Sequence, residues 1–131
     1  GAVDLITTLF EHRPIGIASN NLHAAVVEYL THIGVIDMVD VIVGSDDVNV
    51  PKPAPDVYLR ACHLLGADPN TAVAVDDSVT GVAAARAAGL YVIGVPSQPD
   101  LRLPADAVYP SLADPCLIRT LRYLSPNRMA A

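Results

Sequence analysis

The sequence has 131 residues, 52% of them hydrophobic, which is enough for a single domain with a substantial core. Its net charge of −6 argues against nucleic acid as a partner. No apolar run is long enough for a membrane span. Cys62 and Cys116 are too few and too far apart for a disulfide framework or a zinc site. We therefore expect reduced cysteines in a cytoplasmic protein.

Apolar spacing and chain-breaking residues divide the sequence into alternating helices and strands. Helices are predicted over 2–11, 22–33, 56–65, 79–88 and 115–124, and strands over 15–18, 41–43, 73–76, 91–95 and 107–109. Regular alternation predicts right-handed crossovers and a doubly wound parallel sheet, an α/β fold. We assign residues 1–124 to the α/β core and 125–131 to a tail. Asn20 or Asn21 is expected to cap the helix over 22–33.

The predicted strand over 73–76 ends abruptly in Asp76, Asp77 and Ser78. Ligands of open α/β sheets bind at the carboxyl ends of the strands, so these side chains are expected at a cleft. Adjacent carboxylates repel each other unless a proton or a cation lies between them. Mg²⁺ is commonly held by one or two carboxylates together with substrate phosphate. The alternative is that Asp77 or Ser78 only caps the following helix.

Ser19 and Lys52 also follow predicted strands and are expected to face the same cleft. The Ser19 hydroxyl can donate to a phosphoryl oxygen, or it can act as a plain helix cap. Lys52 is the only lysine among 8 basic residues. Its compact ammonium suits phosphate binding as a point charge, the alternative being a solvated loop lysine. Asp46 and Asp47 are interpreted as a solvated loop rather than as ligands.

Several segments occur together in a characteristic order. They are an apolar strand followed by Ser19-Asn20, the string Lys-Pro-Ala-Pro-Asp-Val-Tyr over 52–58, Val-Asp-Asp-Ser over 75–78, then Gly81 and Ala-Ala-Gly over 87–89. This order resembles the haloacid dehalogenase (HAD) superfamily. It is similar to the branch of phosphoglycolate phosphatase-like and β-phosphoglucomutase-like enzymes. The resemblance extends from residue 1 to about residue 124.

The resemblance implies a HAD-like Rossmannoid core and Mg²⁺-dependent phosphoryl transfer on a small phosphorylated metabolite. The reaction would be hydrolysis of a phosphate monoester or a sugar-phosphate mutase reaction. Ser19, Asn20 and Lys52 would bind the substrate phosphate, with Ser19 and Lys52 catalytic. Asp77 would ligate Mg²⁺ directly, and Asp76 would lie beside it as an outer or water-mediated ligand.

Three alternatives to this function stay open. The first is a non-catalytic remnant that binds a partner. The second is a 2-haloacid dehalogenase, which shares the fold but needs no metal, so the acidic pair Asp76-Asp77 argues against it. The third is a receiver-like signalling domain, which places its acidic groups, hydroxyl and lysine in another chain order.

One family motif is absent from the sequence. Family members carry a strand ending in Asp-x-Asp-Gly-Thr, which supplies the nucleophile, whereas the nearest string here has Ile6 in place of the second Asp. We therefore expect an incomplete core that lacks the nucleophile strand and the cap. Residues 1–131 alone are expected to be inactive, and the nucleophile is expected to come from an upstream segment or from another chain. In the family that strand lies between the two strands that end at Ser19 and Asp76. Residues 15–19 and 72–76 are accordingly predicted to be parallel, nearly level and not hydrogen bonded to each other.

Overall fold

The computed structural model describes residues 1–123, so the predicted tail over 125–131 lies outside the described residues. The helices are α1 (Ala2–Leu9), α2 (His23–His32), α3 (Asp56–Leu65), α4 (Val79–Ala88) and α5 (Pro115–Tyr123). The strands are β1 (Gly16–Ala18), β2 (Val41–Val43), β3 (Val73–Asp76), β4 (Tyr91–Gly94) and β5 (Ala107–Val108). The predicted order of helices and strands is confirmed, with small shifts at their ends.

The strands form two parallel sheets. In the first sheet β1 pairs with β2, and Gly16 lies opposite Val41. The second sheet has the order β3-β4-β5, and Val73 lies opposite Tyr91. The predicted parallel α/β architecture is therefore confirmed.

Both faces of the second sheet are covered by helices. Ala74 and Val92 pack in a core cluster with side chains of α3 and α4. Val75 and Ile93, their neighbours along the strands, pack in a separate cluster with side chains of α1 and α5. Successive side chains of a strand point to opposite faces, so this division shows a doubly wound sheet.

Two of the helix boundaries near the sheet edge follow from local chemistry. The Oγ of Ser78 accepts a hydrogen bond from the Gly81 N–H at 3.0 Å, so of the two residues that the alternative interpretation named as caps, Ser78 is the one that caps α4. The same helix, α4, ends at Gly89, whose φ of +92° favours a residue without a Cβ. The start of α4 is thereby fixed directly after the acidic pair.

The start of α2 differs from the prediction. Its N-cap residue is Leu22, and no side-chain capping bond comes from Asn20 or Asn21. Instead, the His23 N–H donates to Oδ1 of Asp46 at 2.7 Å. The predicted Asn cap is therefore wrong, because a carboxylate from a distant loop satisfies the free backbone donor at the helix start.

The loop that carries this carboxylate is held against α2 by a second contact. Oδ2 of Asp47 lies 2.6 Å from Nδ1 of His23 and accepts from the Gly44 N–H at 2.8 Å. The hydrogen bond from Gly44 and that from His23 hold the pKa of Asp47 below its usual value. Asp46 and Asp47, which were predicted to lie in a solvated loop, thus fix the start of α2.

The strands β1 and β3 belong to different sheets, and no described ladder joins them. A cavity of about 450 Å³ lies between them, lined by Gly16–Ala18, by 72–75 and by apolar side chains of α1 and α3. The prediction that these strands are not hydrogen bonded to each other is therefore confirmed for the described residues. Each strand has one edge without a strand partner in this part of the chain.

Two expectations from composition concern the cysteines and the membrane. Cys62 is buried, Cys116 is exposed, and both are free thiols. Within residues 1–123, no helix has the length and apolar character that a bilayer crossing requires.

Candidate active site

The carboxyl ends of β1 and β3 open onto one cavity of about 770 Å³. Ser19 and Asn20 follow β1, while Asp76 ends β3 and Asp77 comes next. Lys52 reaches the cavity from the loop between β2 and α3. The structure therefore brings all five predicted site residues to one cavity, as expected for the ends of parallel strands.

The Lys52 ammonium is held by a buried carboxylate. Its Nζ donates to Oδ2 of Asp76 at 2.8 Å, and the two side chains are only 10% and 7% exposed. Oδ2 also accepts from the Tyr58 hydroxyl at 2.6 Å. Lys52 is therefore not the solvated loop lysine of the alternative interpretation. At a site shielded from water, a charge without a partner costs free energy, so each member of this ion pair favours keeping the other in place.

Asp76 uses both of its oxygens as hydrogen-bond acceptors. Oδ1 accepts from the N–H and the Oγ of Ser78 at 3.1 and 3.0 Å, while Oδ2 is shared by Lys52 and Tyr58. Burial raises the pKa of Asp76, but the hydrogen bonds from Lys52 and Tyr58 outweigh it and lower that pKa below its usual value. Asp76 is therefore a charged anchor for the lysine at neutral pH. Its role near Mg²⁺ stays a prediction.

Gly81 explains why the Asp76 carboxylate fits where it does. A Cβ placed on Gly81 would collide with the Asp76 carboxyl group. Gly81 lies in the first turn of α4, three residues after the Ser78 cap. The close approach of this helix to the end of β3 therefore needs a residue without a side chain.

Asp77 has a different environment from its neighbour. It is exposed, lines the cavity, and accepts no described hydrogen bond. Mg²⁺ typically binds through one or two carboxylates, substrate phosphate and water. The free carboxylate of Asp77 fits one position of such a shell. Residues 1–123 contain no group of three or more His, Cys, Asp or Glu side chains that would complete it.

Ser19 and Asn20 play distinct parts at the end of β1. The Oγ of Ser19 accepts from the Asn21 N–H at 3.0 Å, which leaves its hydroxyl hydrogen able to donate into the cavity. Oδ1 of Asn20 accepts from the Lys52 N–H at 2.9 Å, and its Nδ2 lies 3.4 Å from the Lys52 carbonyl oxygen. The Asn20 side chain thus fixes the backbone of Lys52. Phosphate binding by Asn20 stays a prediction.

Sequence reasoning assigned no role to Tyr58, although this residue lies in the string over 52–58. The signal that could have identified it is the polar hydroxyl of Tyr58 on the buried face of α3, which also contains Val57 and Cys62. A buried tyrosine hydroxyl generally has a hydrogen-bond partner. The partner, Asp76, belongs to another element, and helical periodicity does not identify it.

Comparison with known proteins identifies the family of this chain. The family model of haloacid dehalogenase-like hydrolases matches residues 1–95. Among solved structures, that of CbbY from Rhodobacter sphaeroides with xylulose-1,5-bisphosphate superposes with a TM-score of 0.78 at 30% identity. The alignment covers 87% of this chain and 54% of that one.

Curated relatives are also similar over most of the chain. The bifunctional riboflavin kinase/FMN phosphatase of Arabidopsis thaliana is 43% identical over 119 residues, 87% of this chain and 31% of the relative. The validoxylamine A 7′-phosphate phosphatase of Streptomyces hygroscopicus subsp. limoneus is 32% identical, over 82% of this chain and 51% of the relative. The chain thus spans about half or less of the length of these two proteins. It belongs to the haloacid dehalogenase-like hydrolase family.

Proposed function

We propose that the intact protein containing these residues carries out Mg²⁺-dependent phosphoryl transfer on a small organic phosphate. The reaction is hydrolysis of a phosphate monoester or a sugar-phosphate mutase reaction. The observation that carries the proposal is the anchored Lys52 ammonium, which shares one cavity with the Ser19 hydroxyl and the free Asp77 carboxylate. The phosphatases among the relatives support the same reaction class.

The chain's own residues would bind and orient the phosphoryl group. Phosphoryl transfer depends mainly on positioning and on neutralising charge on the equatorial oxygens. Lys52 supplies a positive charge whose place is set by Asp76, and Ser19 supplies a hydroxyl donor on the opposite strand end. Both groups are preorganised, so little reorganisation is needed when charge develops.

A magnesium ion would be held at Asp77, with substrate phosphate and water as further ligands. When bound, it would supply charge neutralisation at the phosphoryl oxygens. Asp76 would contribute indirectly, because its four described hydrogen bonds occupy both oxygens.

We propose that the nucleophile comes from outside residues 1–131, on a strand that enters between β1 and β3. Support comes from the unpaired edges of these strands and from the largely apolar cavity between them. A strand there would pair with both edges and satisfy their free backbone groups. It could be supplied upstream or by another chain, and residues 1–131 alone should be inactive.

The cytoplasmic location of the protein stays a prediction.

A non-catalytic interaction domain is the second candidate. One observation favours it. Among the described residues, the 770 Å³ cavity has one carboxylate without a hydrogen-bond partner, and no group of three or more His, Cys, Asp or Glu side chains could hold a metal ion. Such a domain would accept a strand between β1 and β3 without turnover.

Release of inorganic phosphate and isomerisation of a sugar phosphate, both measured on the intact protein, discriminate these functions, since a mutase reaction releases no net phosphate. The substrates would be a panel of phosphate monoesters including FMN and a sugar phosphate, together with a 2-haloacid, each tested with MgCl₂ and with a chelator. We expect Mg²⁺-dependent phosphate release or isomerisation that the chelator abolishes and that residues 1–131 alone do not show. Absence of turnover with every substrate would favour the interaction domain. Metal-independent release of halide from a 2-haloacid would show a dehalogenase instead.

A further inference from the structure

The first turn of α3 places a buried tyrosine beside the anchored lysine. Tyr58 is 7% exposed and packs in the core cluster shared by α3 and α4. Its hydroxyl donates to Oδ2 of Asp76 at 2.6 Å, the oxygen that also accepts from Lys52. Lys52 lines the 770 Å³ cavity, whereas Tyr58 does not and instead borders the 450 Å³ cavity between β1 and β3, so Tyr58 contacts the pair from the side away from the candidate site.

The Tyr58 hydroxyl is suited to be a permanent neutral donor. Burial, and then the negative charge of Asp76, raise the pKa of Tyr58 far above its usual value. The hydroxyl therefore stays protonated and does not alter the charge of the pair. It limits rotation of the Asp76 carboxylate, whose other oxygen is held by Ser78.

The aromatic ring adds a second restraint. Nζ of Lys52 lies 5.0 Å from the Tyr58 ring centroid, within the range of a cation–π contact. One N–H of the ammonium is used by Asp76, so the remaining donors are available to the cavity. Asn20 fixes the Lys52 backbone independently. The lysine is thus held at its backbone by one strand end and at its head by Asp76 and Tyr58.

We infer that Tyr58 is a positioning residue, which acts through Asp76 and through its ring to hold the Lys52 ammonium at the cavity. Its consequence for catalysis rests on the proposed phosphoryl transfer, whereas the position of the lysine does not. A purely structural tyrosine would fill core volume, and phenylalanine would then replace it without effect on Lys52.

The test uses the fact that Lys52 is the only lysine of the 131 residues. Lysine-selective labelling of this chain with ¹⁵N and ¹³C gives a single ammonium Nζ signal, the Lys52 side-chain signal, that needs no further assignment. In Tyr58→Phe the ring and its volume are kept and only the hydroxyl is lost. Loss of one restraining hydrogen bond should speed exchange of the ammonium hydrogens with water by about tenfold. Tyr123→Phe, at a tyrosine that is 70% exposed, serves as the control.

An unchanged Lys52 signal and exchange rate in Tyr58→Phe would overturn the positioning role. A second measurement needs no variant: in the unmodified chain, the Lys52 side-chain methylene hydrogens should show nuclear Overhauser contacts to the Tyr58 ring, and their absence would overturn it equally. In the intact protein, Tyr58→Phe should lower kcat by about tenfold with a smaller change in KM. A perturbed Lys52 signal with normal kcat would support the positioning role and contradict the proposed use of the lysine in catalysis.

Discussion

Asp77→Asn should abolish Mg²⁺-dependent turnover of the intact protein while leaving its fold intact. Asp77 is exposed and accepts no hydrogen bond from the described residues, so the neutral amide removes no packing contact. The ligand charge is lost, and a fall in kcat of at least about a hundredfold corresponds to roughly 2.7 kcal/mol of transition-state stabilisation. Phosphate-release kinetics over a range of MgCl₂ concentrations would measure the loss, with circular dichroism as the check on folding.

The matched control is Asp100→Asn. Asp100 is likewise exposed, but it does not line the cavity. It makes the same change in net charge and should leave both kcat and the magnesium requirement unchanged. Full activity of Asp77→Asn in the presence of a chelator would refute the assignment of Asp77 to the metal.

Lys52→Ala should slow turnover of the intact protein by about tenfold or more, because the phosphoryl charge loses its cationic partner. It should also destabilise the fold, since the Asp76 carboxylate is only 7% exposed and would lose the partner of its ion pair. Removing one partner of a buried ion pair costs about 3–5 kcal/mol. Rates and chemical denaturation measured on the same variant would separate the two effects.

Lys52→Arg provides the matched comparison. It keeps the positive charge beside Asp76, so most of the stability should be retained, but the planar guanidinium does not present a compact point charge. We expect its kcat to stay below that of the natural protein. Near-normal rates in both variants would mean that Lys52 takes no part in the reaction.

Local patterns were sufficient for the order of elements and for several boundaries. Ser78 caps α4 and Gly89 ends it, and both signals act within one or two turns of the chain. The gap between β1 and β3 was also predicted, because the sequence lacks the family's nucleophile strand and the family places that strand between these two. These features depend on residues adjacent in sequence or on the order of whole elements.

The contacts that were missed join side chains far apart in sequence. Asp46 caps α2 through His23, and Asn20 holds the backbone of Lys52. Short polar side chains such as those of Asp46 and Asn20 can also bond to backbone groups near them in the sequence, and sequence patterns favour these nearby partners. Only the packing of the loops on the strand ends decides between these partners, and single-sequence patterns contain little information about it.

Binding of inorganic phosphate to residues 1–131, followed at the Lys52 side-chain signal, shows whether the anchored ammonium receives a phosphoryl group, independently of the nucleophile and of turnover. Phosphate should shift the signal in a saturable manner, with a dissociation constant in about the millimolar range. Chloride at equal ionic strength should not produce this shift, and Ser19→Ala should weaken the binding. A Lys52 signal that phosphate leaves unchanged, or moves only as chloride does, would show that Lys52 does not bind a phosphoryl group.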